Sequence, residues 1–322
     1  MRHLAARDAT RRAIMLALAA QGTMPWPSAA TDQLPTLQLP TLSERFSSTR
    51  LKPLSDRMPS MDGDLRYPKW MAGKWRATNT AVGFTTPLGQ RFVDPYLLKI
   101  GQSDATTSKQ RRYLLGYEEG FPPPAEQPTL TVRQARPFST IQEERAFTAS
   151  KETVIERGVF TRNAAHPHGR VVLDVKNDIT PDGKPLSPYV GAGWEVRKTV
   201  KSQLELDIMW AAWEESGDNA FVTSELAVQR AELPRGAVDE TYLEILFRFE
   251  RQSLTGAAEE QSPETAPPPN AVRARYRVAQ YLSLPDAALP AAATKEARKL
   301  AKEAAGRAVA LLDYDVLLER TG

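Results

Sequence analysis

The sequence predicts a mainly β protein built as a single antiparallel β-barrel of about eight to ten strands, with one helix just before the last strand. Three observations carry that expectation. Apolar residues recur with period two: Leu243, Ile245, Phe247 and Phe249 alternate with Tyr242, Glu244, Arg248 and Glu250, and Val171, Leu173 and Val175 with Val172, Asp174 and Lys176. Most such stretches follow one another with no helix between them, which excludes parallel crossover units and leaves one large antiparallel sheet. The composition is that of a globular chain, 41% apolar and 25% charged over 322 residues, so a sizeable core can form, and closing the sheet removes its edges.

Residues 1–30 read as an export signal. Arg11 and Arg12 stand directly before the apolar run 13–20, and Ser28-Ala29-Ala30 presents the small side chains a signal peptidase admits, placing cleavage after Ala30. Eight apolar residues fall short of the about 20 that a hydrocarbon core requires, so this is no membrane anchor; the alternative is an N-terminal amphipathic helix. The paired arginines resemble a twin-arginine signal, the class read by bacterial and thylakoid translocons that pass folded proteins. Only ten residues precede Arg11, fewer than a stromal transit peptide needs, which implies either an upstream start or a bacterial source.

The signal also explains the charge. It holds Arg2, Arg7, Arg11 and Arg12 against the single acid Asp8, so the 42 bases and 39 acids of the whole chain fall to 38 of each in the mature one. The +3 net charge and pI near 9.0 therefore belong to the signal, and no nucleic-acid partner is expected.

Residues 31–64 form a proline-rich arm in which Leu34-Pro35-Thr36-Leu37 is echoed by Leu39-Pro40-Thr41-Leu42. Prolines this frequent exclude a helix or a central strand, so an extended arm is expected. The barrel domain occupies 65–322. Strands are expected over 74–84, 92–100, 111–118, 152–161, 171–176, 202–213, 221–230, 242–250, 272–284 and 308–319. The helix before the last strand is expected over 291–306, with Lys295, Lys299, Lys302 and Glu303 among alanines, and a shorter helical turn over 141–150. Proline-rich loops fall at 121–128, 181–188 and 255–270, the last expected to be disordered.

Arg273, Arg275 and Arg277 share one face of their strand, and Asp313 and Asp315 share one face of the last. If the two strands are antiparallel neighbours, these charges meet as an outward ladder; the rival reading is an arginine stripe for an anionic ligand.

The chemistry-bearing residues are sparse. With no cysteine there is no thiolate site, disulfide or cysteine nucleophile, and of the three histidines only His166 and His168 lie beyond the signal, around Pro167 and Gly169, which mark a turn. No metal site is expected. Glu143-Glu144 and Glu214-Glu215 alternate faces on a strand or diverge on a helix, so neither makes a natural acid/base pair, and solvated surface is expected for all but Glu144. No Gly-x-Ser-x-Gly elbow, phosphate loop or dinucleotide fingerprint occurs, so no catalytic residue and no cofactor is assigned. Gly191-Ala192-Gly193-Trp194 reads as a turn into a strand. Trp70, Trp75, Trp194, Trp210 and Trp213 are candidates for core packing or for lining an apolar ligand cavity.

Tyr67-Pro68-Lys69-Trp70-Met71-Ala72-Gly73-Lys74-Trp75 opens the first strand, and Gly73-x-Trp75 resembles the first-strand signature of lipocalins and other calycins, in which the tryptophan closes the barrel base. The later turn motif of lipocalins is absent. A longer resemblance adds, in order, Glu144-Arg145-Ala146-Phe147, Phe221-Val222-Thr223-Ser224-Glu225, Ala279-Gln280-Tyr281-Leu282-Ser283 and Ala308-Val309-Ala310-Leu311-Leu312-Asp313-Tyr314. The five blocks, spanning roughly residues 65–319, are similar to an uncharacterised family of cyanobacteria and chloroplasts, many members of which are directed to the thylakoid lumen. The proline-rich insertions resemble a green-alga-like version. The resemblance implies a calycin-like barrel and a lumenal location, and a structural ion pair at Glu144 and Arg145 that holds the helical turn to the barrel; it carries no activity.

The expected function is therefore that of a non-enzymatic thylakoid-lumen barrel, monomeric and without a transmembrane segment. It either binds a small lipophilic molecule such as a pigment, quinone or lipid, or serves a photosynthetic membrane complex as an assembly factor. The alternatives are a calycin-type enzyme acting on a carotenoid or fatty-acid-derived substrate, which requires a titratable side chain with a perturbed pKa in the bore, and a pure scaffold.

Overall fold

A computed structural model describes residues 40–53, 64–120, 130–147, 153–179, 198–216, 220–232, 238–251, 270–284 and 295–321. Its strands are β1 (Gly73–Thr85), β2 (Gln110–Glu118), β3 (Arg133–Gln134), β4 (Thr153–Asn163), β5 (His166–Ile179), β6 (Lys198–Ser216), β7 (Ala220–Glu232), β8 (Val238–Arg251), β9 (Ala271–Tyr281) and β10 (Ala310–Thr321). Four helices accompany them: α1 (Leu42–Ser47), α2 (Pro95–Thr106), α3 (Arg136–Phe147) and α4 (Lys295–Ala304). All ten strands pair antiparallel in one sheet, in the order β3-β2-β1-β10-β9-β8-β7-β6-β5-β4, which curls into a half-barrel. The helix α4 precedes the last strand and packs Ala304 with Val309, Ala310, Phe92, Val93 and Leu97.

The concave face is built by the period-two pattern. Trp75, Ala77 and Ala81 of β1, Tyr113, Leu115 and Tyr117 of β2, Phe249 of β8, Val272, Ala274 and Tyr276 of β9, and Tyr314, Val316 and Leu318 of β10 form the inner core. A bulge between Ile208 and Trp210 in β6 shifts the phase, so Ile208, Ala211 and Trp213 face that core. Trp210 consequently packs against the outer core cluster, with its ring 6.3 Å from that of His168.

The sheet has two edges, β3 with its neighbour β2 on one side and β4 on the other, and α3 stands between them, packed on both β2 and β4. Ser139, 1% exposed, accepts the Gly116 amide of β2 at 3.1 Å, while Arg145 donates to the Ile155 carbonyl of β4 at 2.6 Å. The helix thus satisfies backbone groups on both edges and takes the place of a closing strand. Bare backbone permits the approach: a Cβ on Gly158 would stand 3.0 Å from Ile141 of α3.

Several expectations need correcting. Residues 92–100 are no strand: Gln90–Phe92 is a 3₁₀ turn, and α2 starts at Pro95, where Asp94 accepts the amides of Tyr96 at 2.8 Å and Leu97 at 3.2 Å. Proline at the first helical position and an aspartate cap outweigh the short apolar alternation. His166 and His168 lie in β5 rather than a turn, with Pro167 near its start, where a strand tolerates it. Helix α3 begins at Arg136, before the expected 141. Gly191, Gly193 and Trp194, and most of the three proline-rich loops, lie outside the described residues.

The arm is not simply extended. Thr41 and Glu44 make a reciprocal capping box that starts α1, and α1 lies on the convex face over β6, β7 and β8. Leu42, Phe46 and Leu51 pack there with Val222, Leu226, Leu246, Tyr281 and Leu311. The Leu42 amide and Ser43 hydroxyl donate to Glu214 at 2.7 and 3.0 Å, and Arg45 reaches Glu244, which is 0% exposed.

Candidate functional site

The bore of the half-barrel is aromatic. Ring contacts run without interruption from Trp213 through Phe221, Tyr67, Phe249, Phe247, Tyr276, Tyr314 and Phe147 to Tyr113. Tyr276 is stacked between Phe247 at 4.4 Å and Tyr314 at 5.3 Å. Its ring faces are thereby covered, and it offers an edge and a hydroxyl. Phe147, Ile245, Phe247, Val278 and Leu312 are only partly buried, so this end of the bore keeps accessible surface.

Helix α3 adds the polar groups. Arg136, Ser139, Glu143 and Phe147 recur at helical spacing along one stripe of it. Arg136 is 5% exposed and holds Asp64, with Nε to Oδ1 at 2.6 Å, together with both carboxylate oxygens of Glu225 on β7. Glu143 is half-buried and accepts a hydrogen bond from the Tyr276 hydroxyl. Burial, with the Glu144 and Glu225 carboxylates nearby, pushes its pKa up to about 7 even though the tyrosine bond opposes the shift. Burial alone takes Glu144 to about 7 as well. Burial first, then the charge of Glu143, holds the Tyr276 and Tyr113 hydroxyls well above the ordinary phenol range. Tyr314 is raised to about 12 by burial, against the pull of Arg111.

Asn79 on β1 is 0% exposed, donates from Nδ2 to the Tyr113 hydroxyl at 3.3 Å, and has no partner for Oδ1. Arg111 pairs with Asp104 of α2 and lies 4.4 Å over the Phe147 ring.

Glu143 therefore departs from the solvated surface expected of it. Glu144 and Arg145 do not pair with each other: successive helical residues diverge by about 100°, sending Arg145 to β4 and Glu144 toward Tyr276 and Glu143. The signal for Glu143 was its place four residues before Phe147 and seven after Arg136.

Trp75 is 0% exposed, donates to the Met71 carbonyl at 2.7 Å and lies under the Arg320 guanidinium at 4.7 Å. Arg320 also donates to the Trp70 carbonyl at 3.3 Å, and Gly73, at φ +114°, leaves it room, since a Cβ there would stand 2.7 Å from its Nη1. Trp70, Gly73 and Trp75 are thus tied together at one end of the core.

On the convex face β9 and β10 are antiparallel neighbours, with Arg277 opposite Asp313 and Arg275 opposite Asp315. Arg277 grips Asp313 at 2.6 and 3.1 Å and donates to the Ser48 carbonyl at 2.9 Å, so this rung also fastens the arm. Arg273 stands opposite Leu317 on one side and Glu250 on the other, so of the expected ladder two arginines face aspartates of β10, and among the described residues Arg277–Asp313 is the pair in contact. An open depression of roughly 330 Å³ beside Phe46, Val82, Arg275 and Asp315 lies outside the barrel and carries both signs of charge.

The fold and bore together define a helix-closed antiparallel β-barrel with a tyrosine-rich, carboxyl-bearing interior. No family model, curated protein or solved structure matches the chain. Among the described residues no helix is long and apolar enough to cross a membrane.

Proposed function

We propose that this protein is an exported, non-enzymatic barrel that binds a small lipophilic ligand at the accessible end of its bore. The observation that carries the reading is the aromatic chain from Phe249 to Tyr113, whose members Phe247 and Phe147 keep exposed surface on the concave side. Aromatic surface left accessible inside a concave face is the usual ground of small-molecule recognition. The twin-arginine-like N-terminus and the similarity to lumen-directed chains favour delivery to a thylakoid lumen, where the ligand would be a pigment, quinone or lipid.

The test is titration of the purified mature chain with the neutral apolar dye N-phenyl-1-naphthylamine. The expected result is a saturable fluorescence rise at one dye per chain that Phe247→Ala and Tyr314→Ala weaken at least about tenfold, the size of a lost aromatic contact. A rise that does not saturate, or that these substitutions leave unchanged, overturns the reading.

A calycin-type enzyme acting on a carotenoid or fatty-acid-derived substrate is favoured by one observation, the carboxyl of Glu143 near pKa 7 beside the Tyr276 hydroxyl. Recovery of a chemically changed carotenoid or fatty-acid derivative after incubation, lost in Glu143→Gln, would replace binding with catalysis.

A further inference from the structure

On the concave face a buried donor and a buried acceptor stand on neighbouring strands with no hydrogen-bond partner among the described residues. Asn79 and Arg111 are directly opposite each other in the antiparallel pair β1–β2, and both point inward, as Ala77 and Tyr113 two positions away do. Asn79 is 0% exposed; its Nδ2 donates to the Tyr113 hydroxyl at 3.3 Å, and its Oδ1 accepts nothing. Arg111 is 9% exposed; its Nη2 is engaged by Asp104, and its buried Nη1 donates to nothing. Each orphan is costly alone, and together they call for one group that accepts from the guanidinium and donates to the amide oxygen.

The pair adjoins the accessible end of the bore. The Phe147 ring lies over the Arg111 guanidinium at 4.4 Å, and Phe147 is half-buried. The same ring stands 5.9 Å from Tyr314 and 6.3 Å from Tyr113, so the aromatic wall runs up to the two polar side chains.

We infer that the ligand is a lipophilic alcohol, whose hydroxyl oxygen accepts from Arg111 Nη1, whose hydroxyl hydrogen goes to Asn79 Oδ1, and whose apolar body lies along the aromatic wall. This rests on the ligand-binding reading above and names the chemistry of that ligand. The head group reaches the pair by displacing the ring of Phe147, the last residue of α3. A hydroxyl answers both orphans from a single atom, the smallest group that can, which suits two atoms shielded from solvent. An ether oxygen accepts from Arg111 and leaves Asn79 Oδ1 stranded. An ammonium meets the guanidinium as like charge. A carboxylate is opposed by Asn79 Oδ1, by Asp104, which already balances Arg111, and by the charge of Glu143 that reaches Tyr113. Lys109 also approaches Asp104, at 3.5 Å, but its side chain is 47% exposed and its charge is screened by water.

The experiment is calorimetric titration of the purified protein at pH 8 with three eight-carbon probes, each below its solubility or micelle limit: octan-1-ol, its isomer heptyl methyl ether, and octanoate. Octan-1-ol is expected to bind at least about tenfold more tightly than the ether, which lacks the donor, and than octanoate, which brings a charge. Asn79→Leu keeps the volume and removes the acceptor; it should fold, checked by its thermal transition, and bind the alcohol no more tightly than the ether. Arg111→Lys keeps a charge for Asp104 and removes Nη1, so it should weaken alcohol and ether alike. Equal binding of alcohol and ether to the unaltered chain, the result of an ordered water meeting both orphans, overturns the alcohol inference and leaves lipophilic binding standing. Octanoate binding as tightly as octan-1-ol overturns the uncharged head group. An alcohol preference that survives Asn79→Leu, or an affinity unmoved by Arg111→Lys, places the hydroxyl elsewhere and overturns the site. Saturable binding of none of the three probes overturns both this inference and the reading it rests on.

Discussion

Substituting Arg45 by methionine should detach the arm. Arg45 is 6% exposed and Glu244 0%, and the carboxylate accepts Arg45 Nε at 3.2 Å and Nη2 at 2.5 and 2.6 Å, with Ser224 at 2.9 Å and Tyr281 at 2.7 Å completing its shell. Methionine keeps the apolar stem and removes the guanidinium, leaving two neutral donors for a charge with no access to water. Breaking a buried pair from one side costs about 3–5 kcal/mol. For a domain of this size about 1 kcal/mol moves Tm by roughly 2–4 °C, so a fall of about 6–20 °C is expected. The assay is thermal and urea unfolding of the purified protein, with limited proteolysis reporting release of residues 40–53. Adding Glu244→Gln to Arg45→Met removes the stranded charge and should recover more than half of the loss. The reasoning is refuted if Arg45→Met costs under about 1 kcal/mol, or if the double variant is no more stable than the single one, since an uncompensated buried carboxylate would then not be the cause.

Three further outcomes are expected. Glu143 and Glu144 hold pKa values raised from 4.5 to about 7, so the stability they contribute is full below pH 4.5 and is lost as pH rises through 7. Glu143→Gln should flatten the pH 5 to 8 slope of urea stability by at most about 3 kcal/mol, reduced because the group is half-buried. Gly101→Ala in α2 places a Cβ 2.3–2.8 Å from the Phe84 ring, and the roughly 1–3 kcal/mol of overpacking outweighs the about 1 kcal/mol gained in helix propensity, so chemical denaturation should show a net loss. Ser139→Ala strands the Gly116 amide at the seam, which should cost about 1–3 kcal/mol and speed hydrogen exchange at Gly116 relative to Trp75.

The strands were legible because a half-buried strand shows its alternation locally: Leu243 to Phe249 and Val272 to Tyr276 read correctly, and their register follows from the same alternation. The Arg277–Asp313 rung was legible because sequential strands tend to pair and like faces meet. Other features depend on events with no local mark. The bulge at Met209 decides that Trp213 enters the bore and Trp210 leaves it, and one extra residue in a nineteen-residue strand has no composition of its own. Arg45 and Glu244 are 199 residues apart and look like ordinary surface charges until the arm is laid on β8. Asp94-Pro95, by contrast, was a local start signal outweighed by the apolar residues around it.

The carboxyls of the bore follow from how the sheet is closed. A ten-stranded sheet that paired its first and last strands would put alternate residues of each outside, so Glu143 and Glu144 on a strand could not both approach Tyr276. A helix laid in the seam steps by about 100° per residue, and two adjacent side chains can reach the same concave space. The same geometry sends Arg145 to the β4 edge and Ser139 to the β2 edge, so the contacts that hold the seam also set the pitch at which Glu143 enters. If that coupling is correct, loosening the seam with Ser139→Ala or Arg145→Met should lower the raised pKa of Glu143 toward 4.5 by admitting water, an effect that carbon-13 NMR of the glutamate carboxyls can follow without any ligand. A pKa unmoved in both variants would mean that the aromatic wall, and not the helix seam, keeps the carboxyl dry.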